Sequence, residues 1–184
     1  MKNIFSNALK HFKPALPANG AIFAFIIIVA VGVSADIWSK HAAFAYLDNI
    51  GLLQKPAIEG FLNLVKAENT GAAWSSFQGQ KFFLIAISVI ALASIFLAFF
   101  LGQATHRITF IALSLFAAGI VGNLYDRIFN DGKVRDFLDF YITLNGKNLH
   151  WPAFNIADSM LCIAVGLMVI SSVFHTSPKK ADEK

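Results

Sequence analysis

Residues 154–174 read FNIADSMLCIAVGLMVISSVF. A helix needs roughly 20 mainly apolar residues to cross the hydrocarbon core of a bilayer, and this stretch contains one charged residue, Asp158, near its start. Residues 14–35, 82–105 and 108–125 are similar apolar runs without a charged residue. Because backbone groups in lipid must be satisfied within their own segment, these runs predict spans at about residues 18–38, 82–102, 108–128 and 154–174.

The composition supports a membrane protein. The chain has 184 residues, a length that suits a single domain, and it is 57% hydrophobic with only 14% charged residues. Soluble domains average about 25% charged residues. Val33-Ser34-Ala35 resembles a cleavage site, but the apolar run before it is longer than in cleaved leaders, so we expect an uncleaved helix.

The predicted spans place both termini on one side of the membrane. Seven of the fifteen Lys and Arg residues lie in the short segments on that side, so the positive-inside rule favours cytoplasmic termini. Loops at about 41–81 and 129–153 then lie outside, and the tail 177–184 is predicted to be disordered. The alternation in residues 61–66 predicts a strand. The fold class is therefore an all-α membrane protein with a small extracytoplasmic β-sheet on the outer membrane surface.

The same topology gathers the polar clusters at the outer surface, because each cluster lies at the outer end of its span. The candidate supporting residues are Asp36, Lys40, Asn69, Gly71, Asn123, Asp126, Arg127 and Asn155. This inference needs only the number and position of the spans.

Asp136 and Asp158 are the candidate catalytic residues. An ionisable group in or beside a span is costly and therefore marks a functional site. Two carboxyl groups brought together can share one proton and activate a water molecule, as in aspartic proteases. The alternative is that Asp158 caps a helix and Asp136 is an ordinary loop acid. Asp139 lies three residues farther on and competes with Asp136 for the role.

The supporting residues also have structural interpretations. Asn123 and Arg127 share a helix face and could hold a substrate backbone or orient a catalytic acid, or Asp126-Arg127 could anchor a helix end. We expect Asp36 and Lys40 to form a structural pair, with the lysine reaching the lipid headgroups. Asn69 and Gly71 could bind an extended peptide or simply make a turn.

Other functions fit the sequence less well. The five histidines lack metal-ligand spacing, and no nucleophile elbow or phosphate-binding loop occurs, so we expect no metal and no cofactor. Basic residues are not interleaved with aromatic residues, which argues against nucleic acid as a partner. A small proton-coupled membrane carrier would use the acids as a relay, but the middles of the spans are apolar. A purely structural subunit would not explain the clustered polar groups.

Five motifs resemble, in order, those of the lipoprotein signal peptidases (signal peptidase II) of bacterial inner membranes. Asp36-Ile37-Trp38-Ser39-Lys40 resembles D-x-x-[ST]-K, and residues 69–74, NTGAAW, resemble N-x-G-A-A-aromatic. The later motifs are G-x-x-G-N-x-x-D-R at 119–127, G-x-V-x-D-F at 132–137 and F-N-x-A-D at 154–158. Ile37 departs from the usual Gln, and the loop between the two acids is slightly long.

The resemblance implies an aspartic endopeptidase with Asp136, rather than Asp139, paired with Asp158. It implies diacylglyceryl-modified prolipoproteins as substrates, cut just before the lipidated cysteine, and inhibition by globomycin-type cyclic peptides. It also implies a multi-pass protein of the bacterial inner membrane with its active site at the periplasmic face. We further expect contacts with membrane lipids and a monomer.

Overall fold

The computed structural model describes residues 17–72, 76–101 and 106–174. Within these ranges there are four long apolar helices, each long enough to span a membrane. They are α1 (Asn19–Asn49), α2 (Lys81–Phe100), α3 (Arg107–Phe129) and α4 (Ile156–Phe174). The expected disordered tail, 177–184, lies outside the described residues.

Small residues allow the helices to pack closely around α3. A Cβ on Gly119 would lie 2.7 Å from the Ala157 carbonyl oxygen, and one on Gly32 would lie 2.8 Å from Ala118 Cβ. Close backbone approach of this kind is how membrane helices associate, because lipid tails give no hydrophobic drive between helices. Towards the other end of the bundle, Phe25 and Phe99 pack with Leu113 and Ala117.

The first helix is longer than predicted, since it continues past residue 38 to Asn49. Its buried residues Asp36, Lys40, Ala43 and Leu47 recur every three or four positions, which places them on one helix face. That face packs against the sheet as well as the bundle, so tertiary contacts sustain the helix well beyond the apolar run.

The described residues also form an antiparallel sheet with strand order β1-β2-β3-β4. Its strands are β1 (Gln54–Ile58), β2 (Leu62–Asn69), β3 (Val134–Leu144) and β4 (Lys147–His150). The strand predicted at 61–66 is confirmed as part of β2. The second loop, for which no strand was predicted, contributes β3 and β4. Asn145 and Gly146, both at positive φ, make the tight hairpin turn between them.

Candidate active site

A cavity of about 1350 Å³ lies where the sheet meets the helices. Its lining includes Asp136 from β3, Asp158 from α4, Asn123 and Arg127 from α3, and Asn69 from β2. Residues separated by almost 90 positions in the chain therefore meet at one place. The two acids singled out by the sequence share this cavity.

The start of α4 is fixed by a reciprocal pair of hydrogen bonds. The backbone N–H of Asp158 donates to Asn155 Oδ1 at 2.9 Å, and the backbone N–H of Asn155 donates to Asp158 Oδ2 at 3.1 Å. This is the capping-box arrangement, in which two otherwise unpaired N–H groups are satisfied together. Asp36 accepts a further bond from the Ala157 N–H at 2.8 Å. Asp158 thus caps its helix and also faces the cavity.

Three asparagine side chains contact the two acids, and two of them, Asn155 and Asn123, link one acid to the other. Asn155 Nδ2 donates to Asp136 Oδ1 at 2.7 Å and to Asn123 Oδ1 at 3.2 Å. Asn123 Nδ2 donates to Asp158 Oδ1 at 2.8 Å. Asn69 Nδ2 lies 3.4 Å from Asp136 Oδ2. Every amide presents a donor to a carboxylate, which is the arrangement that supports negative charge out of water.

Asp136 is almost fully buried, with 3% of its surface exposed. Burial, followed by the negative charge of Asp158, raises the pKa of Asp136 to about 7. Hydrogen bonds from Asn155 and Asn69 and the charge of Lys40 act in the opposite direction. A carboxyl group with this pKa can hold a proton near neutral pH, as one member of an acid pair must.

Lys40 does not reach the lipid headgroups, so that expectation was wrong. Its side chain and that of Asp36 are both 0% exposed, and Lys40 Nζ lies 2.7 Å from Asp36 Oδ2 and 3.3 Å from Asp126 Oδ2. Lys40 Nζ also donates to Asn123 Oδ1 at 3.1 Å. The expected pair with Asp36 is present, but α1 turns the lysine into the protein because buried acids offer it better partners than lipid does.

Asp126 and Arg127 contact different partners. Asp126 accepts hydrogen bonds from the backbone N–H and the guanidinium of Arg135. Arg127 Nη2 donates to the Gly71 carbonyl oxygen at 2.9 Å, which holds the segment after β2 against α3. Arg135, which also contacts His41, was missed from the sequence, where only its place beside Asp136 signals a role.

Asp139 is separated from the acid pair. Side chains alternate along a strand, so Asp139 lies on the opposite face of β3 from Asp136. There it accepts a hydrogen bond from Asn63 Nδ2 at 2.9 Å and pairs with His150 Nδ1 at 2.9 Å. The geometry therefore favours Asp136 as the partner of Asp158.

One wall of the cavity is apolar. Phe140 and Ile142 lie on the same face of β3 as Asp136, and Leu149 pairs directly opposite Ile142. Ile142, Leu149 and the following Trp151 are 52%, 54% and 60% exposed, and all line the cavity. Leu161 and Cys162 of α4 line it from the bundle side. The acids thus lie beside a surface suited to lipid chains.

The described ranges contain no group of three His, Cys, Asp or Glu side chains that could hold a metal ion. The groups gathered around the acid pair include the two carboxyl groups, three asparagine amides and one guanidinium. Those groups can activate a water molecule and stabilise a developing oxyanion.

Comparison with known proteins gives a consistent assignment. Residues 27–174 match the family model described as signal peptidase (SPase) II. A lipoprotein signal peptidase from Alteromonas mediterranea is 35% identical over 86% of this chain and 85% of its own length. One from Geobacter metallireducens is 36% identical over 81% and 90%.

A solved structure described as a bacterial membrane enzyme superposes with a TM-score of 0.73 and 31% identity. The match covers 94% of this chain and 99% of that enzyme. A second structure with the same description gives a TM-score of 0.69 at 30% identity, covering 89% and 99%. With its motif order and the family match over residues 27–174, this chain belongs to the signal peptidase II family.

Proposed function

We propose that this protein is an aspartic endopeptidase that removes signal peptides from diacylglyceryl-modified prolipoproteins, cutting just before the lipidated cysteine. The observation that carries the proposal is the meeting of Asp136 and Asp158 in one cavity, each held by asparagine donors. The names of the relatives indicate the substrate class.

The reaction follows from the chemistry of the pair. One carboxylate takes a proton from a water molecule, whose oxygen attacks the carbonyl carbon before the cysteine. The other carboxyl group donates a hydrogen bond to the developing oxyanion, and the leaving amine then receives a proton. General acid–base catalysis of this kind contributes about 10²–10⁴ in rate, and the buried, low-dielectric site strengthens the interactions with developing charge.

The apolar wall supports a lipid-bearing substrate. A diacylglyceryl group in the outer leaflet would enter from the bilayer along Leu161 and Cys162, which line the cavity on α4. Arg127 and Asn69 would position the peptide. A cyclic peptide inhibitor of the globomycin type would occupy the same cavity. Because one chain supplies both acids and their donors, we expect a monomer in contact with membrane lipids.

We place the protein in the bacterial inner membrane with both termini in the cytoplasm. The sheet and the cavity would then lie at the periplasmic surface, where exported prolipoproteins arrive. Trp151, 60% exposed and just before α4, fits the aromatic belt found at membrane–water interfaces.

A proton-coupled carrier is less well supported. Such a protein needs ionisable groups through the depth of the membrane. Among the described residues of α2, the run after Lys81 has no ionisable side chain as far as Phe100, and the acids of α1, α3 and α4 converge at one end of the bundle. No polar path across the membrane is apparent in the described residues.

The test is cleavage of a diacylglyceryl-modified prolipoprotein by the purified protein in detergent, followed by gel shift. Asp136→Asn and Asp158→Asn should each reduce cleavage to a small residual rate, and unlipidated substrate should remain uncut. Asp139→Asn is the matched control, since Asp139 is a buried acid of the same strand on the opposite face. The proposal would be overturned if Asp136→Asn or Asp158→Asn kept full activity, or if the folded wild-type protein did not cleave the substrate.

A further inference from the structure

The two oxygens of Asp158 each face a hydrogen-bond donor. Oδ1 accepts from Asn123 Nδ2 at 2.8 Å, and Oδ2 accepts from the backbone N–H of Asn155 at 3.1 Å. A protonated carboxyl group would turn its O–H against one of these donors. Asp158 also lies in the first turn of α4, where the helix dipole favours negative charge.

The orientation of Asn123 is fixed by its other contacts. Lys40 Nζ is a donor only, so the atom of Asn123 that lies 3.1 Å from it must be the amide oxygen. Asn155 Nδ2 donates to the same oxygen at 3.2 Å. The amide nitrogen of Asn123 is therefore left to face Asp158. Reversing the amide would set donor against donor at Lys40 and Asn155.

Asp136 has a different environment. Its Oδ1 accepts a short bond of 2.7 Å from Asn155, but the contact of its Oδ2 with Asn69 is 3.4 Å long. Asp136 lies on a strand, without a helix end to support charge, and is 3% exposed. Its raised pKa, about 7, agrees with this environment. Among the four carboxyl oxygens of Asp136 and Asp158, Asp136 Oδ2 has the longest hydrogen bond, so a proton there is opposed by the weakest donor.

We propose that the dyad, the pair formed by Asp136 and Asp158, is asymmetric before substrate binds. The shared proton lies on Asp136 Oδ2 and the negative charge on Asp158. This assignment rests on the proposed function and gives each acid a role. Asp158 is the base that takes the proton of the attacking water, and Asp136 is the acid that faces the substrate carbonyl. Lys40 is a positioning residue, because it sets the direction of the Asn123 amide.

The proton balance follows from this assignment. Water loses a proton to Asp158 and its oxygen bonds to the carbonyl carbon, while Asp136 gives its proton to the carbonyl oxygen. The C–N bond then breaks as the amine takes the proton from Asp158. A hydroxyl proton of the intermediate returns to Asp136, which restores the resting pair.

The experiment reads the protonation states directly, without substrate. Protein labelled with ¹³C at aspartate carboxyl carbons is studied by NMR in detergent micelles, and Asp136→Asn and Asp158→Asn each remove one signal for assignment. At pH 6 the Asp136 signal should be that of a carboxylic acid and the Asp158 signal that of a carboxylate. Asp136 should then titrate near pH 7, with Asp158, Arg127 and Lys40 as the charged groups acting on it.

Two variants test the origin of the asymmetry. Asn123→Ala removes a donor from Asp158 and should move the proton at least partly onto that residue, whereas Asn69→Ala removes only the long contact and should leave the assignment unchanged. Asp136→Asn keeps an N–H donor at the carbonyl, so it should retain at least about tenfold more residual cleavage than Asp158→Asn.

The proposal would be overturned if Asp158 were protonated at pH 6 or if the two acids shared the proton equally. It would also be overturned if the protonation states of the two acids in Asn123→Ala were the same as in the wild type. Because the NMR measurement needs no turnover, absence of cleavage by the wild-type protein would count against the proposed function and not against the asymmetry.

Discussion

Replacing Lys40 with methionine tests whether the buried charges hold the helices together. Lys40 Nζ lies 2.7 Å from Asp36 Oδ2 and 3.3 Å from Asp126 Oδ2, and all three side chains are 0% exposed. Methionine has a similar length but no charge, so Asp36 would lose its cation while remaining buried. Removing one partner of a buried pair costs about 3–5 kcal/mol, a lowering of Tm on the order of 10 °C for a chain of this size.

The assay is thermal unfolding of the purified protein in detergent at pH 7. Lys66→Met is the matched control, because Lys66 pairs with Asp48 at the surface, where the two side chains are 23% and 62% exposed. Exposed pairs contribute only about 0–1 kcal/mol, so this variant should melt close to the wild type. The double variant Asp36→Asn/Lys40→Met should regain part of the loss, because it leaves no unpaired charge.

Two results would refute this reasoning. If Lys40→Met melted as high as Lys66→Met, the lysine would not be needed to compensate buried carboxylates. If the double variant were no more stable than Lys40→Met alone, the loss would come from packing and not from charge.

Three further predictions address packing, pH dependence and substrate binding. A Cβ on Gly122 would lie 2.5 Å from Asp36 Oδ2, whereas one on Gly166 would meet nothing within 4 Å. Gly122→Ala should therefore lower the unfolding free energy by about 1–3 kcal/mol. Gly166→Ala is its control and should not lower Tm. The pKa of Asp136 rises from 3.8 to about 7 on folding, so the folded state binds more protons than the unfolded state between these pH values. Wild-type stability should therefore fall by roughly 4 kcal/mol as the pH rises from about 4 to about 7. Melting curves of Asp136→Asn should lack this component, and identical pH profiles of the two proteins would contradict the prediction. Arg127→Lys removes the planar donor that holds the Gly71 carbonyl and should raise KM for lipidated substrate, so unchanged steady-state kinetics would argue against that contact.

The membrane helices were predictable because their signal is local. A run of about 20 apolar residues has few alternatives to a spanning helix, and the ends found for α2, α3 and α4 lie within about two residues of those predicted. The gathering of polar groups at one end followed from the same pattern, since consecutive spans alternate in direction. The motif order then identified the family.

The sheet was only partly predictable. β3 carries Arg135, Asp136 and Asp139 within five positions, and residues 134–137 are all buried. One face of this strand meets the helices and the other meets the cavity, so polar and apolar residues do not alternate as they do in a half-exposed strand. The extension of α1 was missed because a polar helix end gives no hydropathy signal, although the spacing of Asp36, Lys40, Ala43 and Leu47 marks one face.

The protonation of the dyad is coupled to the whole buried charge cluster. Near the cavity, four carboxyl groups meet three cationic side chains: Asp36, Asp126, Asp136 and Asp158 with Lys40, Arg127 and Arg135. If every group were ionised, one negative charge would remain uncompensated in a largely buried cluster, which is costly. One proton on the acid pair makes the cluster neutral. The surrounding ion pairs therefore favour one proton on the acid pair, the state that the proposed aspartic peptidase mechanism requires.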